Sequence, residues 1–180
     1  MKTNHIEMEQ KFTFFIQGSA DYPYRLILSL NPVALSCSCQ AGMMGLPCKH
    51  RLSVVDGNTA DIIGLDPAKE GAIALFSEII KGSDIMGYLK EYDEAKKDAL
   101  RKNTASDKAF KNYRSAIIAH ALNKGTKKQI DKASAALDKS IQECVNAAGE
   151  TESLLQALRT VFIRPEYQDG DDMAQEAIDE

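Results

Sequence analysis

The sequence is short of most features that announce a function. No apolar run in its 180 residues approaches the ~20 that span a bilayer, so no transmembrane helix is expected. The first ten residues are polar and lack the apolar core of a secretory leader, so no signal is expected there. Four cysteines are too few for a disulfide framework, which points to a reducing, cytoplasmic location. No glycine-rich phosphate loop, Ser/His/Asp order or paired-carboxylate motif stands out, so neither a catalytic centre nor a small-molecule substrate is indicated. An enzyme whose site lies in the helical part therefore has no residue set behind it. A net charge of −4 and a pI near 5.5 argue against a surface coated throughout for nucleic acid.

What is present is an ordinary globular composition, 44% hydrophobic and 27% charged, long enough for one domain and a smaller companion. The first quarter reads as β. Lys11–Gln17 is rich in aromatic and β-branched residues and stops at Gly18-Ser19. Tyr24–Leu30 is a second strand, Asn31-Pro32 turns the chain, and Val33–Leu35 leads into the first cysteines. Two strands with a short loop predict an antiparallel hairpin. Arg51–Val55, followed by Asp56-Gly57, predicts a short helix closed by glycine.

From Asp66-Pro67, an N-cap with proline at the first helical position, the pattern turns helical. Ile73, Phe76, Ile79 and Ile80 mark a first helix, ended by Gly82-Ser83. Met86, Leu89 and Tyr92 mark a second from Ser83 to Lys102. Phe110, Tyr113, Ile117, Ala121 and Leu122 mark a third from Ser106 to Gly125. Ile130, Ala133, Leu137, Ile141, Cys144, Val145 and Ala148 are expected inward on a fourth from Thr126. Beyond Gly149, a fifth carries Leu154, Leu155, Leu158, Val161 and Phe162. Five such segments predict a helical bundle. The expected class is α+β: a small β-hairpin module over residues 1–66, an all-α bundle over 67–164, and an acidic mobile tail over 165–180.

Charge is unevenly placed. Lys90–Lys132 holds twelve Lys/Arg against six Asp/Glu, whereas residues 133–180 hold three against eleven. The basic stretch reads as solvated helix faces with i,i+4 pairs such as Asp93–Lys97 and Asp107–Lys111, as a nucleic-acid-facing patch, or as a dock for the acidic tail. Lys96, Lys97, Arg101, Lys102, Lys108, Lys111 and Arg114 are the candidate phosphate contacts.

The densest chemistry is Cys37-Ser-Cys39, eight residues, then Cys48-Lys-His50. Three of four cysteines and one of three histidines fall within fourteen residues. Four such donors fit one tetrahedral Zn²⁺, and four protein ligands leave no open position, so the site is structural. Gly42 and Gly45 give the loop freedom to fold back, and Pro47 stiffens the approach to the second pair. Three thiolates and a neutral imidazole on Zn²⁺ carry a net −1, which Lys49 and Arg51 would offset by turning inward. A redox Cys-x-Cys pair and chance clustering are the rival readings; the first has no use for His50 at that spacing. Cys144 reads as a buried free thiol on an apolar stripe. His120 reads as an ordinary helical residue, and His5 as part of a frayed terminus.

The run Cys37-Ser-Cys39 … Gly45-Leu-Pro-Cys48-Lys-His50 resembles the SWIM zinc finger, whose pattern is Cys-x-Cys, a spacer, then Cys-x-His. The preceding Ile16-Gln-Gly-Ser and Tyr24–Leu28 resemble the strands that family places before its first pair, so the likeness covers roughly Phe14 to Val55. It implies a ββα module binding nucleic acid or protein, with one zinc per chain and no catalysis of its own. The sequence departs in one respect: no aromatic residue follows Cys-x-Cys, which leaves Met43 or Met44 to fill that slot. The function expected is a non-catalytic zinc protein whose finger scaffolds a DNA-, RNA- or protein-binding surface. The alternative is an adaptor docking through its helical part, with zinc purely structural.

Overall fold

The computed structural model describes residues 10–165; residues 1–9, with His5, and the acidic stretch from Glu166 lie outside the described residues. The chain divides into two compact units. The first runs to Ser83 and takes in the segment from Arg159; the second is Asp84–Leu158.

The first unit is built on an antiparallel sheet of β1 (Lys11–Ile16), β2 (Tyr24–Leu30), β3 (Val33–Cys37) and β4 (Ile62–Ile63), in the order β3-β2-β1-β4 among the described residues. β1 and β2 pair with Phe14 opposite Leu26 and Ile16 opposite Tyr24. Alternation puts Phe14 and Ile16 inward and Thr13 and Phe15 outward. β2 and β3 join through Asn31-Pro32, with Leu28 opposite Leu35 and Leu26 opposite Cys37. That register brings the first cysteine to the end of β3, beside the inner strand β2. The hairpin expected from the sequence is thus part of a larger sheet. β4 is only two residues long, too short to carry a periodic signal.

Two short helices follow the sheet strands, α1 (Gln40–Met43) and α2 (Lys49–Asp56), the latter closed by Gly57 in the left-handed conformation as expected. α3 (Pro67–Lys81) starts at Asp66, whose carboxylate accepts from Lys69 N at 2.9 Å. Ala72, Ile73, Phe76, Ser77 and Ile80 are buried, while Ile79 is outward. α3 packs on α2, β1 and β2, and Ser77 Oγ donates to Val55 O at 2.6 Å. The helix expected to open the bundle therefore covers the sheet, because the sheet needs a lid over Phe14, Ile16, Leu26 and Leu28. The compact unit ends at Ser83 rather than at residue 66.

The carboxy-terminal segment completes this unit. Leu35 N donates to Val161 O at 2.8 Å, which satisfies the free edge of β3, and Val161 and Phe162 are buried. The fifth helix was expected to carry both residues; instead the helix stops at Leu158 and they serve the sheet.

The second unit is an antiparallel hairpin of two long helices, α4 (Ile85–Ala121) and α5 (Lys127–Leu158). At 1.5 Å per residue, the 37-residue α4 is ~55 Å long. Its seam follows a 3,4 spacing: Tyr92, Ala95, Ala99, Lys102, Ser106, Ala109, Tyr113 and Ala116 face α5 and are buried or half-buried. Leu137, Ser140, Cys144, Ala147, Thr151, Leu154 and Leu158 do the same on α5. Cys144 Sγ lies 3.9 Å from Asn103 Oδ1, which sets the register. Mostly small seam residues let the two backbones approach closely.

The four helices expected over residues 83–162 are therefore two. Asn103–Ser106 contains no proline or glycine, and Thr104 Oγ1 bonds back to Leu100 O at 3.0 Å within a continuous α4. Gly149 lies inside α5 and does not break it. A glycine mid-helix costs only about 1 kcal/mol, which seam packing on both sides offsets. One seam cannot bury two stripes: Phe110, Ile117, Ile141 and Val145, expected inward, are exposed.

Two outcomes follow for stability. Phe162→Ala lowers the stability of the sheet unit by about 3–5 kcal/mol, because a fully buried aromatic leaves a cavity. Gly149→Ala, whose new methyl meets nothing within 4 Å, raises hairpin stability by about 0.5–1 kcal/mol. Urea unfolding followed by far-ultraviolet dichroism checks both signs.

Candidate metal centre

Each donor of the cysteine–histidine set is placed by a different local structure. Cys37 ends β3, Cys39 is the N-cap of α1, Cys48 is the N-cap of α2, and His50 lies in the first turn of α2. Cys39 Sγ accepts from Gly42 N at 3.3 Å, the bond that caps α1. The positive ends of two helices thus face the sulfurs, where negative charge is favoured. Gly42 has a steric reason to be glycine: a Cβ there would sit 2.1 Å from Cys37 O.

All four donor atoms lie within 4.8 Å of one another and all four residues are buried. Cys37 Sγ and His50 Nδ1 are 3.7 Å apart. Metal–sulfur bonds of ~2.3 Å and metal–nitrogen bonds of ~2.0–2.1 Å at tetrahedral angles put neighbouring donors ~3.5–3.8 Å apart. The residues present therefore fit one Zn²⁺, with Nδ1 as the imidazole donor. His50 Nε2 faces Gly18, and the Tyr24 ring lies 4.7 Å from the imidazole, centroid to centroid.

Crowding three thiols splits their acidity. The hydrogen bond with Cys48, then burial, pushes Cys37 up, and burial pushes Cys39 up. The hydrogen bond from Cys37 draws Cys48 down to about 5. A divalent cation relieves the crowding by replacing the protons.

Of the two cations flanking the ligands, Lys49 is exposed and Arg51 is completely buried. Arg51 Nη1 donates to Leu46 O at 3.0 Å, and Nη2 donates to Gly42 O at 3.3 Å and to Ile163 O. Its guanidinium carbon lies 5.7 Å from the centroid of the Phe162 ring. Burial pulls the Arg51 pKa down, and the thiolates of Cys48, Cys37 and Cys39 hold it up. Arg51 thus offsets the −1 of a zinc-bound Cys₃His set and fastens the ligand loop to the carboxy-terminal segment. The sequence pointed to Arg51 only as a nearby charge, and held no signal for Ile163, Phe162, Tyr24 or Gly18. Of the methionines left to fill the aromatic slot, Met43 is half-buried and Met44 exposed.

The basic candidates lie along α4 but do not form one patch. Lys97, Arg101, Lys108 and Lys111 share its outer face, Lys96 and Arg114 lie to one side, and Lys102 sits at the seam. Lys97 pairs with Asp93 and Arg101 with Asp98, and Lys102 is 2.7 Å from Asp98. Among the described residues, Lys96, Lys108, Lys111 and Arg114 have no ion pair within 4 Å. The pairing expected for Asp93–Lys97 is present. His120 Nδ1 lies 3.2 Å from Gly125 O, a contact within the α4–α5 turn. Cys144 is half-buried at the seam.

Four closed donors at a strand end and two helix starts define a structural zinc finger. Residues 14–55 match the family model of the SWIM zinc finger, a binding module rather than a catalytic domain. That match covers less than a quarter of the chain. No curated protein and no solved structure matches the chain. No helix among the described residues is long and apolar enough to cross a membrane.

Elemental analysis should find one zinc per chain, with Cys37→Ser and His50→Ala each losing it and unfolding the sheet unit. Full occupancy in both variants would remove the ligand assignment. At neutral pH the metal-free protein holds protons on Cys37 and Cys39, whose pKa values are raised, while Cys48 has lost its own. Zinc binding therefore releases about two protons per ion, and affinity rises with pH; titration calorimetry in two buffers of different ionisation enthalpy measures the number.

Proposed function

We propose that the chain is a non-catalytic binding protein of a nucleic-acid-associated process, in which the zinc finger is scaffold and the basic end of the hairpin contacts phosphate backbones. The observation that carries this reading is the concentration of positive charge in residues 101–132, where nine Lys/Arg stand against two Asp. Lys108, Lys111 and Arg114 are exposed there and unpaired among the described residues, so they are free to displace counterions. Lys97, Arg101 and Lys102 contribute less, since intrahelical aspartates already hold them. Lys96 lies outside the most basic stretch. Backbone contacts of this kind read charge rather than sequence, so DNA and RNA are both partners. Three zinc-bound thiolates suit a reducing, cytoplasmic compartment.

A second reading, an adaptor that docks on another protein through its helical part with zinc purely structural, is favoured by the net charge of −4. Fluorescence anisotropy with labelled single- and double-stranded probes separates the two. The first reading expects binding whose logarithm falls linearly with log salt, and a slope shallower by about one unit for each of Lys108→Ala, Lys111→Ala and Arg114→Ala. Absence of binding at about 50 mM salt would overturn it in favour of the second.

A further inference from the structure

The hairpin of α4 and α5 has two unlike flanks. Beside a 3,4-spaced seam, the positions following the seam residues project to one side, and in an antiparallel pair those of both helices fall on the same side. On that flank α4 presents Leu100, Phe110 and Ile117, and α5 presents Ile141 and Val145. These side chains are 68%, 57%, 42%, 46% and 59% exposed. The other flank carries Glu91, Asp98, Glu143 and Glu150 in equivalent places. Five large apolar side chains on one flank, against four carboxylates opposite, is the signature of a covered surface.

We infer that this flank is a self-association surface, on which two copies of the chain pair antiparallel and close their hairpins into a four-helix bundle. The patch is self-complementary. With Asn103 beside Cys144, its midpoint along the hairpin lies between Phe110 and Ile141. Ile117 is about as far toward the turn as Leu100 is toward the base. A two-fold axis at that midpoint sets Ile117 of one copy against Leu100 of the other, and brings Phe110 level with the partner's Ile141.

Charge selects the same arrangement. Residues 101–132, around the turn, carry nine Lys/Arg and two Asp, a net +7. Residues 84–100 and 133–158, the base, carry four Lys and nine Asp/Glu, a net −5. Antiparallel pairing lays each basic end beside an acidic base, whereas parallel pairing would stack like charge on like. The patch is ~25 Å long and two helices wide, so it covers on the order of 500 Å² per copy, ~1,000 Å² for the pair. That area sits at the threshold for a specific interface, so the dimer is reversible rather than obligate.

The test is sedimentation velocity on the zinc-loaded full chain between about 1 and about 100 µM, the range in which an interface of this size fills. The mass should rise from 19.8 kDa toward twice that value. Phe110→Glu and, separately, Ile141→Glu should hold it at the monomer with unchanged helical dichroism, since both side chains lie outside the seam. Lys127→Glu with Lys128→Glu should weaken the dimer about tenfold at low salt and little at high salt. A monomer throughout, or a dimer indifferent to both apolar substitutions, overturns the inference. So does a monomer that uses Phe110 and Ile141 to bind another protein or a vesicle of anionic lipid.

Discussion

A buried positive charge and a buried cluster of thiolates hold each other inside the first unit. Either alone would be expensive: an uncompensated ion in an apolar interior costs several kcal/mol. Arg51 is fully inaccessible, and Phe162 covers one face of its guanidinium. What makes its position tolerable is the negative charge that zinc-bound Cys37, Cys39 and Cys48 would retain, together with three backbone carbonyls that accept its hydrogen bonds. The dependence runs the other way too, since a Cys₃His zinc set keeps a residual negative charge that this arginine offsets.

The guanidinium also decides how far the zinc module extends. One carbonyl it binds belongs to Ile163, 112 residues along the chain, and the same segment closes the β3 edge through Val161. The matched finger ends at residue 55, but the folded unit does not. Metal binding, the ligand loop and the carboxy-terminal segment are therefore mechanically one object. The zinc serves as the fixed point of that object, with no open position for chemistry.

The hairpin follows a different rule. Two helices meeting along a seam made mostly of Ala, Ser, Cys and Thr gain close packing but bury little apolar surface per turn. Their remaining apolar side chains have no place in that seam and collect on one flank, while Lys108, Lys111 and their neighbours take the outer face. A two-helix hairpin thus separates surfaces for charge and for apolar contact on a single rigid rod.

How much of this could be read in advance depends on the distance over which each feature is decided. The sequence by itself determined the donor set, because Cys37, Cys39, Cys48 and His50 lie on one short loop and their chemistry is local. It determined β1 and β2 through their aromatic and β-branched residues, and the start of α3 through the Asp66 cap and Pro67. It did not determine the helix count, since Gly149 and Asn103–Ser106 are weak local penalties that long-range seam packing overrides. Nor could it tell Lys49 from Arg51, or show that Ile141 and Phe110 face outward. A 3.6-residue stripe says only that a helix has an apolar side; the number of partner helices decides which of those residues are covered. Arg51, Val161 and Ile163 meet because the chain returns to the sheet after the hairpin, and that return exists only in the tertiary structure.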